Sequence, residues 1–324
     1  MTSDWQITEV ATGIHFVEGP ASNWVILIDG DATALIDCGY PGDWTALTAS
    51  LAAAGKHPDD VDQLLVTHAH ADHIGSAERL RRDHGTEVIA CGPEAQHARR
   101  TVLHQVTKAE VEAQAADPLV RVWMDHAIAA GGLGDVAVAK VTEVPPGAAI
   151  AAAHRPIPHL LPGHTPGHTV YELPEAQVVV VGDGLVSGHA ISKHQGPQML
   201  HPMFHTDPLM AERSLERLSA LPGEVVLPGH GPAMQCSPAA AVAAVRGTRT
   251  LTGAPGRHSS PTPDGQQTAQ SAPARSVGSS TTDEVAEVLR EWLSSAGVPC
   301  EARGRVLQEI ACRQASGSRW SSAS

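Results

Sequence analysis

Aromatic side chains are scarce in this sequence. Phenylalanine, tryptophan and tyrosine together make up 3% of its 324 residues, although hydrophobic residues as a whole reach 42%. This hydrophobic content is typical of a globular protein, whose core must here be filled by aliphatic side chains and alanine. A chain of this length can form one large domain or two small ones.

Cysteine pairs and long apolar runs are missing as well. The five cysteines are scattered, odd in number and without a Cys-x-x-Cys pair, which argues for reduced thiols rather than a disulfide framework. No segment approaches the roughly 18 consecutive apolar residues of a membrane span. The first residues, Met1–Trp5, lack the basic and apolar regions of a signal peptide. We therefore expect a cytoplasmic protein.

Positive charge is in deficit. Lysine and arginine number 22 against 35 aspartate and glutamate residues, so the net charge is −13 with neutral histidines. Because affinity for phosphates and anionic lipids comes from basic side chains, we expect neither nucleic acid nor a membrane as a partner. The residue in excess is histidine, with 19 copies.

The order of the predicted elements indicates an α/β fold. Residues 13–37 have the pattern of a strand hairpin, and a short buried strand at 64–66 is followed by a helix over 74–84 and a strand over 87–91. The segment 94–130 is predicted to be helical and to form an insertion that covers a site. Further strands are expected near 136–144, 157–161, 169–173, 178–182 and 224–227, with helices over 207–221 and 238–246.

The composition changes after residue 246. Residues 247–281 are dominated by Gly, Ser, Thr, Pro, Gln and Ala, and such a segment cannot bury enough apolar surface to fold, so we expect a disordered linker. Residues 282–324 are predicted to form a short helical tail, since Val285, Leu289 and Leu293 share one helical face. This tail would dock on the 1–246 domain or on a second subunit, and a homodimer therefore stays open.

The most informative motif is the run His68-Ala69-His70-Ala71-Asp72-His73, directly after the buried strand. In an extended loop His68 and His70 point to the same side, while Asp72 and His73 fall where the chain turns into the next helix. Imidazole nitrogens suit zinc, and the carboxylate adds an oxygen ligand. A histidine-rich surface loop is the alternative interpretation of the run.

Three later loops each place one candidate ligand after a predicted strand. His164 lies in Pro162–His168, Asp183 in Gly182–Gly184, and His230 in Leu227–Gly231. Glycine and proline shape these loops, and rigid strand ends that converge are what a metal site needs. His168, on the loop of His164, fits a structural loop histidine better than a ligand.

In these motifs the chain resembles the metallo-β-lactamase superfamily, over roughly residues 10–246. His-x-His-x-Asp-His followed by a lone His, a lone Asp and a last His is that family's ligand order. The resemblance implies an αββα sandwich that holds two divalent metals. It implies that His68, His70 and His164 bind the first metal, that Asp72, His73 and His230 bind the second, that Asp183 bridges them, and that Asp37 supports the site from behind.

The resemblance also implies a hydrolase. Hydroxide held between two metal ions, expected to be Zn²⁺ with Fe²⁺ or Mn²⁺ as alternatives, would attack an ester, lactone or thioester of a small molecule. Asp72 is the candidate catalytic residue, which would orient the hydroxide and carry a proton to the leaving group. An iron-dependent enzyme similar to sulfur dioxygenases, and a non-catalytic protein that binds a partner, are the alternatives.

Within the superfamily, the ligands favour the glyoxalase II-like and lactonase-like branch. Some β-lactamases carry Cys where this chain has Asp183, and many carry Arg where it has His73. Val186 stands where quorum-quenching lactonases have a tyrosine, which argues against their substrates. The segment 196–204 is predicted to arch over the metals, and Met199, His201, Phe204 and His205 are the candidate substrate-pocket residues. A packed surface loop is an equally good interpretation of this segment.

Overall fold

The computed structural model describes residues 5–251, which form two sheets flanked by helices. Residues 252–281 of the predicted linker and the predicted tail 282–324 lie outside the described residues. The strands are β1 (Gln6–Ala11), β2 (Ile14–Glu18), β3 (Asn23–Asp29), β4 (Ala32–Ile36), β5 (Gln63–Leu65), β6 (Glu87–Cys91), β7 (Thr142–Val144), β8 (Ile157–Leu160), β9 (Thr169–Leu173), β10 (Val178–Gly182) and β11 (Val225–Pro228). The helices are α1 (Trp44–Ala53), α2 (Ala71–Ile74), α3 (Ala77–Arg79), α4 (Pro93–Ala98), α5 (Lys108–Glu112), α6 (Pro118–Ala129), α7 (Pro208–Ser219) and α8 (Pro238–Leu251).

The first sheet has seven strands in sequence order, from β1 to β7. Its first four strands pair antiparallel, and β4 to β7 pair parallel. The second sheet has the order β11-β10-β9-β8, with β10 and β11 parallel and the other pairs antiparallel. As a result β8, β10 and β11 run in the same direction, so their carboxyl ends share one edge of the second sheet.

The two sheets pack face to face on an apolar layer. Phe16, Leu27 and Ile36 of the first sheet belong to the same buried cluster as Tyr171 and Val180 of the second. Two more clusters cover the outer faces of the sheets. One contains Leu47 and Leu51 of α1, and the other contains Leu215 of α7 and Val242 of α8. Helices therefore lie outside both sheets, and the predicted αββα sandwich is confirmed.

The predicted helix over 94–130 is wrong in its continuity. Only α4, α5 and α6 are helical in this segment. α5 begins at a capping box of Thr107 and Glu110, and α6 begins at Asp117, whose side chain accepts a hydrogen bond from the Leu119 N–H. Each of these caps begins a new helix, and the apolar content of the segment alone does not indicate where these helices start.

The strand predicted over 136–144 is also shorter than expected, since only Thr142–Val144 pairs in the sheet. Val136 and Val138 are buried and the intervening Ala137 is only partly buried, which is the alternation of a strand with one buried face. The Val138 N–H instead donates to the carbonyl of Ala98 at the end of α4. Strand-like periodicity here reflects burial without a neighbouring strand.

Two boundaries extend beyond the prediction. β1 adds an edge strand before the predicted hairpin, and α8 continues to Leu251, five residues past its expected end at 246. Among the described residues, no helix combines the length and the apolar content that crossing a membrane requires.

Candidate metal centre

Four loops that follow strands bring the predicted ligands to one place. The run from His68 to His73 follows β5, His164 follows β8, Asp183 follows β10 and His230 follows β11. All of these residues are buried apart from Asp72, whose side chain is 17% exposed. The carboxyl ends of the strands thus supply rigid positions for a shared site.

The side-chain atoms of seven residues form three overlapping groups. In each group the potential ligand atoms lie within 4.8 Å of one another. The groups are His68, His70 and His164; His68, His73 and Asp183; and Asp72, His73 and His230. All seven residues that the sequence predicted as ligands are in these groups.

Asp183 lies between the two outer groups. Its Oδ2 is 3.5 Å from His164 Nε2 and 3.3 Å from His230 Nε2. Its Oδ1 is 3.5 Å from His73 Nε2. A carboxylate in this position can reach ions held by either group, as a bridging ligand must.

Three buried atoms in the centre have no hydrogen-bond partner: His68 Nε2, His73 Nε2 and Asp183 Oδ1. Leaving a buried polar atom unpaired costs free energy, and a bound ligand would satisfy these three atoms. Imidazole nitrogens with a few carboxylate oxygens are the donor set that zinc and related divalent ions prefer. The residues therefore fit two divalent metal ions.

The outward ring nitrogens of the histidines are held by the surrounding protein. His70 Nε2 lies 2.7 Å from the carbonyl oxygen of His104, and His230 Nδ1 lies 2.8 Å from that of Ala21. Because a carbonyl oxygen can only accept, these two nitrogens carry a proton, and the opposite ones, His70 Nδ1 and His230 Nε2, are directed at other predicted ligands. Hydrogen bonds of this kind fix the orientation of each ring towards the centre.

Asp37 performs the same task for His73. Its Oδ2 accepts from His73 Nδ1 at 2.9 Å and from the Thr67 hydroxyl at 2.6 Å, while its Oδ1 accepts from the Thr67 N–H. The Thr67 oxygen in turn lies 3.1 Å from His68 Nδ1. Asp37 has φ of +62°, an unfavourable conformation for a residue other than glycine. One buried carboxylate therefore orients ligands of both predicted metals.

The protonation states of the histidines differ across the centre. Burial lowers the pKa of His68 and His164 well below the ordinary value, and lowers the pKa of His70 to about 4. Burial acts in the same direction on His73, but Asp72, Asp183 and Asp37 outweigh it and raise its pKa to about 9. The group of three histidines is therefore neutral at pH 7, the form that binds a metal.

The carboxyl groups of the centre are ionised at neutral pH. Burial would raise the pKa of Asp72, yet His73 and His230 outweigh it and lower the value to about 2. The same kind of balance, led by His230 and His73 against burial, lowers the pKa of Asp183. Both carboxylates are thus available as metal ligands without losing a proton first.

Close packing around Asp183 requires a glycine on the last loop. A Cβ atom at Gly229 would lie 2.2 Å from Asp183 Oδ1 and 2.9 Å from a carbon of His73. Asn23 at the start of β3 fixes the same loop, since its side chain donates to the carbonyls of Pro228 and Gly231. The first sheet thereby holds the loop that carries His230.

Glu94, which was not among the predicted site residues, joins two loops of predicted ligands. This fully buried carboxylate accepts hydrogen bonds from the Ala69 N–H at 2.6 Å, the Thr165 hydroxyl at 2.6 Å and His97 Nδ1 at 2.8 Å. Ala69 lies between His68 and His70, and Thr165 follows His164. The available signal was the pair Glu94 and His97, one helical turn apart directly after β6.

His168 belongs to none of the three groups found among the described residues. Its Nε2 accepts a hydrogen bond from the Asp183 N–H at 3.2 Å. The ring thus contacts the backbone of a predicted ligand, which agrees with a structural loop histidine.

A cavity opens next to the centre. Of the four residues predicted for the substrate pocket, Phe204 lines it. Met199 packs instead in the cluster outside the second sheet, and His201 caps the turn Pro202–Phe204. His205 Nδ1 lies 3.2 Å from His164 Nδ1, so it contacts a predicted ligand. His189, which the sequence did not single out, does line the cavity.

Comparison with protein families gives one match over most of the described residues. The model described as "Metallo-beta-lactamase superfamily" matches residues 17–230. Hydroxyacylglutathione hydrolase from Brucella ovis is 28% identical over 207 residues, which is 64% of this chain and 61% of the relative. Anti-Pycsar protein Apyc1 from Paenibacillus sp. is 40% identical over 81 residues, or 24% of this chain and 30% of the relative. The chain thus spans less than two thirds of these relatives.

Solved structures show the same fold. A metallo-beta-lactamase family protein from Thermus thermophilus superposes with a TM-score of 0.55 and 21% identity, covering 74% of this chain and 80% of that one. The metallo-beta-lactamase SMB-1, bound to 2-mercaptoethanesulfonate, gives 0.52 and 19%, covering 76% and 95%. At this level of identity the likeness extends to architecture alone.

Proposed function

The chain belongs to the metallo-β-lactamase superfamily, and on that premise we propose that it is a metal-dependent hydrolase that cleaves an ester, lactone or thioester of a small molecule. The observation that carries this proposal is the convergence of seven potential ligands on one centre, where three of their buried atoms have no hydrogen-bond partner. The names of the relatives from Brucella support hydrolysis of an acyl bond.

We propose that His68, His70 and His164 hold one divalent ion, that Asp72, His73 and His230 hold the other, and that Asp183 contacts both. When bound, two such ions, expected to be zinc, would lower the pKa of water and polarise a carbonyl group. The side chains of the protein would orient the reactants and move protons.

Asp72 is the proposed acid–base residue. It lines the cavity, and its Oδ2 lies 3.4 Å from His230 Nε2 and 3.6 Å from His73 Nε2. Because its pKa is lowered to about 2, the carboxylate is ready at neutral pH to accept a proton from water and to pass it to the leaving group.

His189 is a proposed hydrogen-bond donor to the substrate. Its Nδ1 accepts from the Ile191 N–H at 3.3 Å, so the neutral ring carries its proton on Nε2. Burial lowers the pKa of His189 to about 3, and the ring therefore stays neutral at the pH of the reaction. It lies against His230, with ring centroids 4.9 Å apart, beside the proposed second metal.

A substrate panel tests the proposal. Metal-loaded protein would be assayed with p-nitrophenyl esters, lactones, acyl-CoA thioesters, nitrocefin and bis-p-nitrophenyl phosphate, with zinc, manganese or iron. We expect turnover of at least one acyl substrate and two metals per chain. A single iron with oxygen uptake and no hydrolysis would favour an enzyme similar to sulfur dioxygenases and refute the hydrolase.

Substitution of Asp72 tests the mechanism. Asp72→Ala is expected to lower kcat by roughly 10²–10⁴-fold, as for the loss of a general acid–base group. Asp31→Ala, at an exposed turn, is the control. Metal content and thermal unfolding measured on both variants separate lost chemistry from lost metal or lost fold. Unchanged turnover in Asp72→Ala would contradict the assigned role.

A small-molecule substrate, a cytoplasmic location and the absence of nucleic-acid and membrane partners stay predictions.

A further inference from the structure

The residues that line the cavity beside the metal centre fall into two chemically different sets. One set consists of predicted ligands, among them His70, Asp72 and His230. The other set, which we call the apolar wall, consists of Val106, Val111, Trp123, Met124, Leu200 and Phe204. A substrate whose reactive group lies at the metals must therefore extend along an apolar surface.

Helix α6 supplies part of the apolar wall. Trp123, Met124 and Ala127 line the cavity from one side of this helix, whereas Val122 is 69% exposed and does not line it. The Trp123 ring meets the Phe204 ring edge to face, with centroids 5.1 Å apart. This contact joins α6 to the segment 200–204, so the apolar wall is a packed surface that spans two separate parts of the chain.

The apolar wall is almost free of charge. Apart from the metal-centre residues, Lys108 is the one charged side chain among the described residues that line the cavity, and it forms an ion pair with Glu112. Burying a charged group without a partner is costly. The distal part of the substrate must therefore be uncharged.

We infer that the apolar wall binds a linear, uncharged aliphatic acyl chain, and that the substrate is a medium-chain acyl ester, lactone or thioester. This inference rests on the proposed hydrolase function. Each methylene buried on the wall strengthens binding by removing apolar surface from water. The scissile carbonyl is then held at the metal centre, next to Asp72 and His189.

A chain-length series tests the inference with full-length, zinc-loaded protein. The substrates are p-nitrophenyl acetate, butyrate, hexanoate, octanoate and decanoate. We expect kcat/KM to rise by about three- to fourfold per methylene, the ratio that follows from about 0.8 kcal/mol per buried CH₂, until the wall is filled. The mono-p-nitrophenyl ester of suberic acid matches octanoate in carbon number but ends in a carboxylate, and it should be a poorer substrate by at least tenfold.

Two substitutions on the same helix give the matched comparison. Met124→Gln keeps the size of the side chain but makes the wall polar, and it should lower the octanoate-to-acetate ratio of kcat/KM by about tenfold. Val122→Gln makes the same kind of change on the exposed side and should leave the ratio unchanged. The acetate rate of each variant reports whether it is folded and loaded with metal.

Binding of 1-octanol, measured by calorimetric titration, separates the wall from the chemistry because this molecule has the chain but no bond to cleave. If octanol binds, Met124→Gln weakens this binding, and no acyl substrate is hydrolysed, then binding of an aliphatic chain by the apolar wall is supported and the proposed hydrolase function is refuted. Hydrolysis that does not depend on chain length would refute binding of an acyl chain by the apolar wall, and so would an equal change of the octanoate-to-acetate ratio in Met124→Gln and Val122→Gln. Neither result would contradict the proposed hydrolase function. No binding and no hydrolysis would refute both.

Discussion

Replacing Glu94 by alanine should loosen the metal centre without touching a metal ligand. The carboxylate holds the loop of His68 and His70 through the Ala69 N–H, and the loop of His164 through the Thr165 hydroxyl. It also accepts from the fully buried His97. In Glu94→Ala three buried donors lose their acceptor at once, and the two loops lose the group that joins them.

The cost can be worked out from these contacts. A buried donor left unpaired costs about 1–3 kcal/mol, and we expect a total of about 3–5 kcal/mol because water can enter the vacated space and pair with some donors. For a domain of this size, about 1 kcal/mol corresponds to a shift of about 2–4 °C in Tm, so the loss should be about 6–20 °C. The loops of the first metal should also open, and we expect its affinity to fall by about 10–100-fold, as for other groups that orient ligands.

Glu94→Gln is the matched variant. Its amide oxygen can replace the oxygen that accepts from Ala69 and His97, and its NH₂ group can donate to the Thr165 hydroxyl oxygen. We therefore expect a loss of only about 1 kcal/mol, the difference between a charged and a neutral acceptor. Tm is measured by circular dichroism at fixed metal concentration, and metal affinity by competition with a chromogenic chelator.

The pH dependence provides an independent check. Burial would raise the pKa of Glu94, but hydrogen bonds from His97, Thr165 and Ala69 outweigh it and lower the pKa below its ordinary value of 4.5. A lowered pKa in the folded state stabilises the protein above pH 4.5, and this contribution disappears as the pH falls through the folded value. The advantage of the wild type over Glu94→Gln should therefore shrink only below about pH 4.5. A Glu94→Ala variant with wild-type Tm and wild-type metal affinity would refute the whole argument.

Two further substitutions test the packing around the centre. Asp37→Asn should weaken binding of the second metal by about 10–100-fold, because the side-chain amide can present its NH₂ group instead of an acceptor to His73 Nδ1. Competition with a chelator measures this affinity. An unchanged affinity for the second metal would contradict the role of Asp37. Gly167→Ala should destabilise the fold by about 1–3 kcal/mol, because its Cβ would lie 2.3 Å from the Glu94 backbone nitrogen. Gly247→Ala, where no atom lies within 4 Å, is the control in thermal unfolding and should be neutral or slightly stabilising.

Much of the site could be predicted from sequence because its signals are local. The histidine run and the three loops with His164, Asp183 and His230 each stand directly after an apolar strand. Glycine and proline mark the tight turns there. A strand followed by a loop places a side chain at a sheet edge whatever the rest of the chain does. The family resemblance then supplied the pairing of ligands with metals.

The substrate side could not be predicted in the same way. Met199, His201, Phe204 and His205 were predicted from the sequence, yet of these four only Phe204 lines the cavity. Which side of residues 199–205 faces the metals depends on how that segment packs against α6, and those contacts join residues that are far apart in sequence. Neither periodicity nor turn chemistry reports on such a contact.

By itself the sequence determined the fold class and the ligand candidates, since both follow from local order: strands, the loops after them, and histidines and aspartates at fixed spacing. Tertiary structure decided how the rings of His70, His73 and His230 are oriented, because His104, Asp37 and Ala21 approach from other segments. It also decided that Glu94 joins two loops of predicted ligands and that α6 lines the cavity beside them. Hydrogen bonds and apolar contacts between distant segments exist only once the chain has folded, and these contacts give the predicted ligands their orientation.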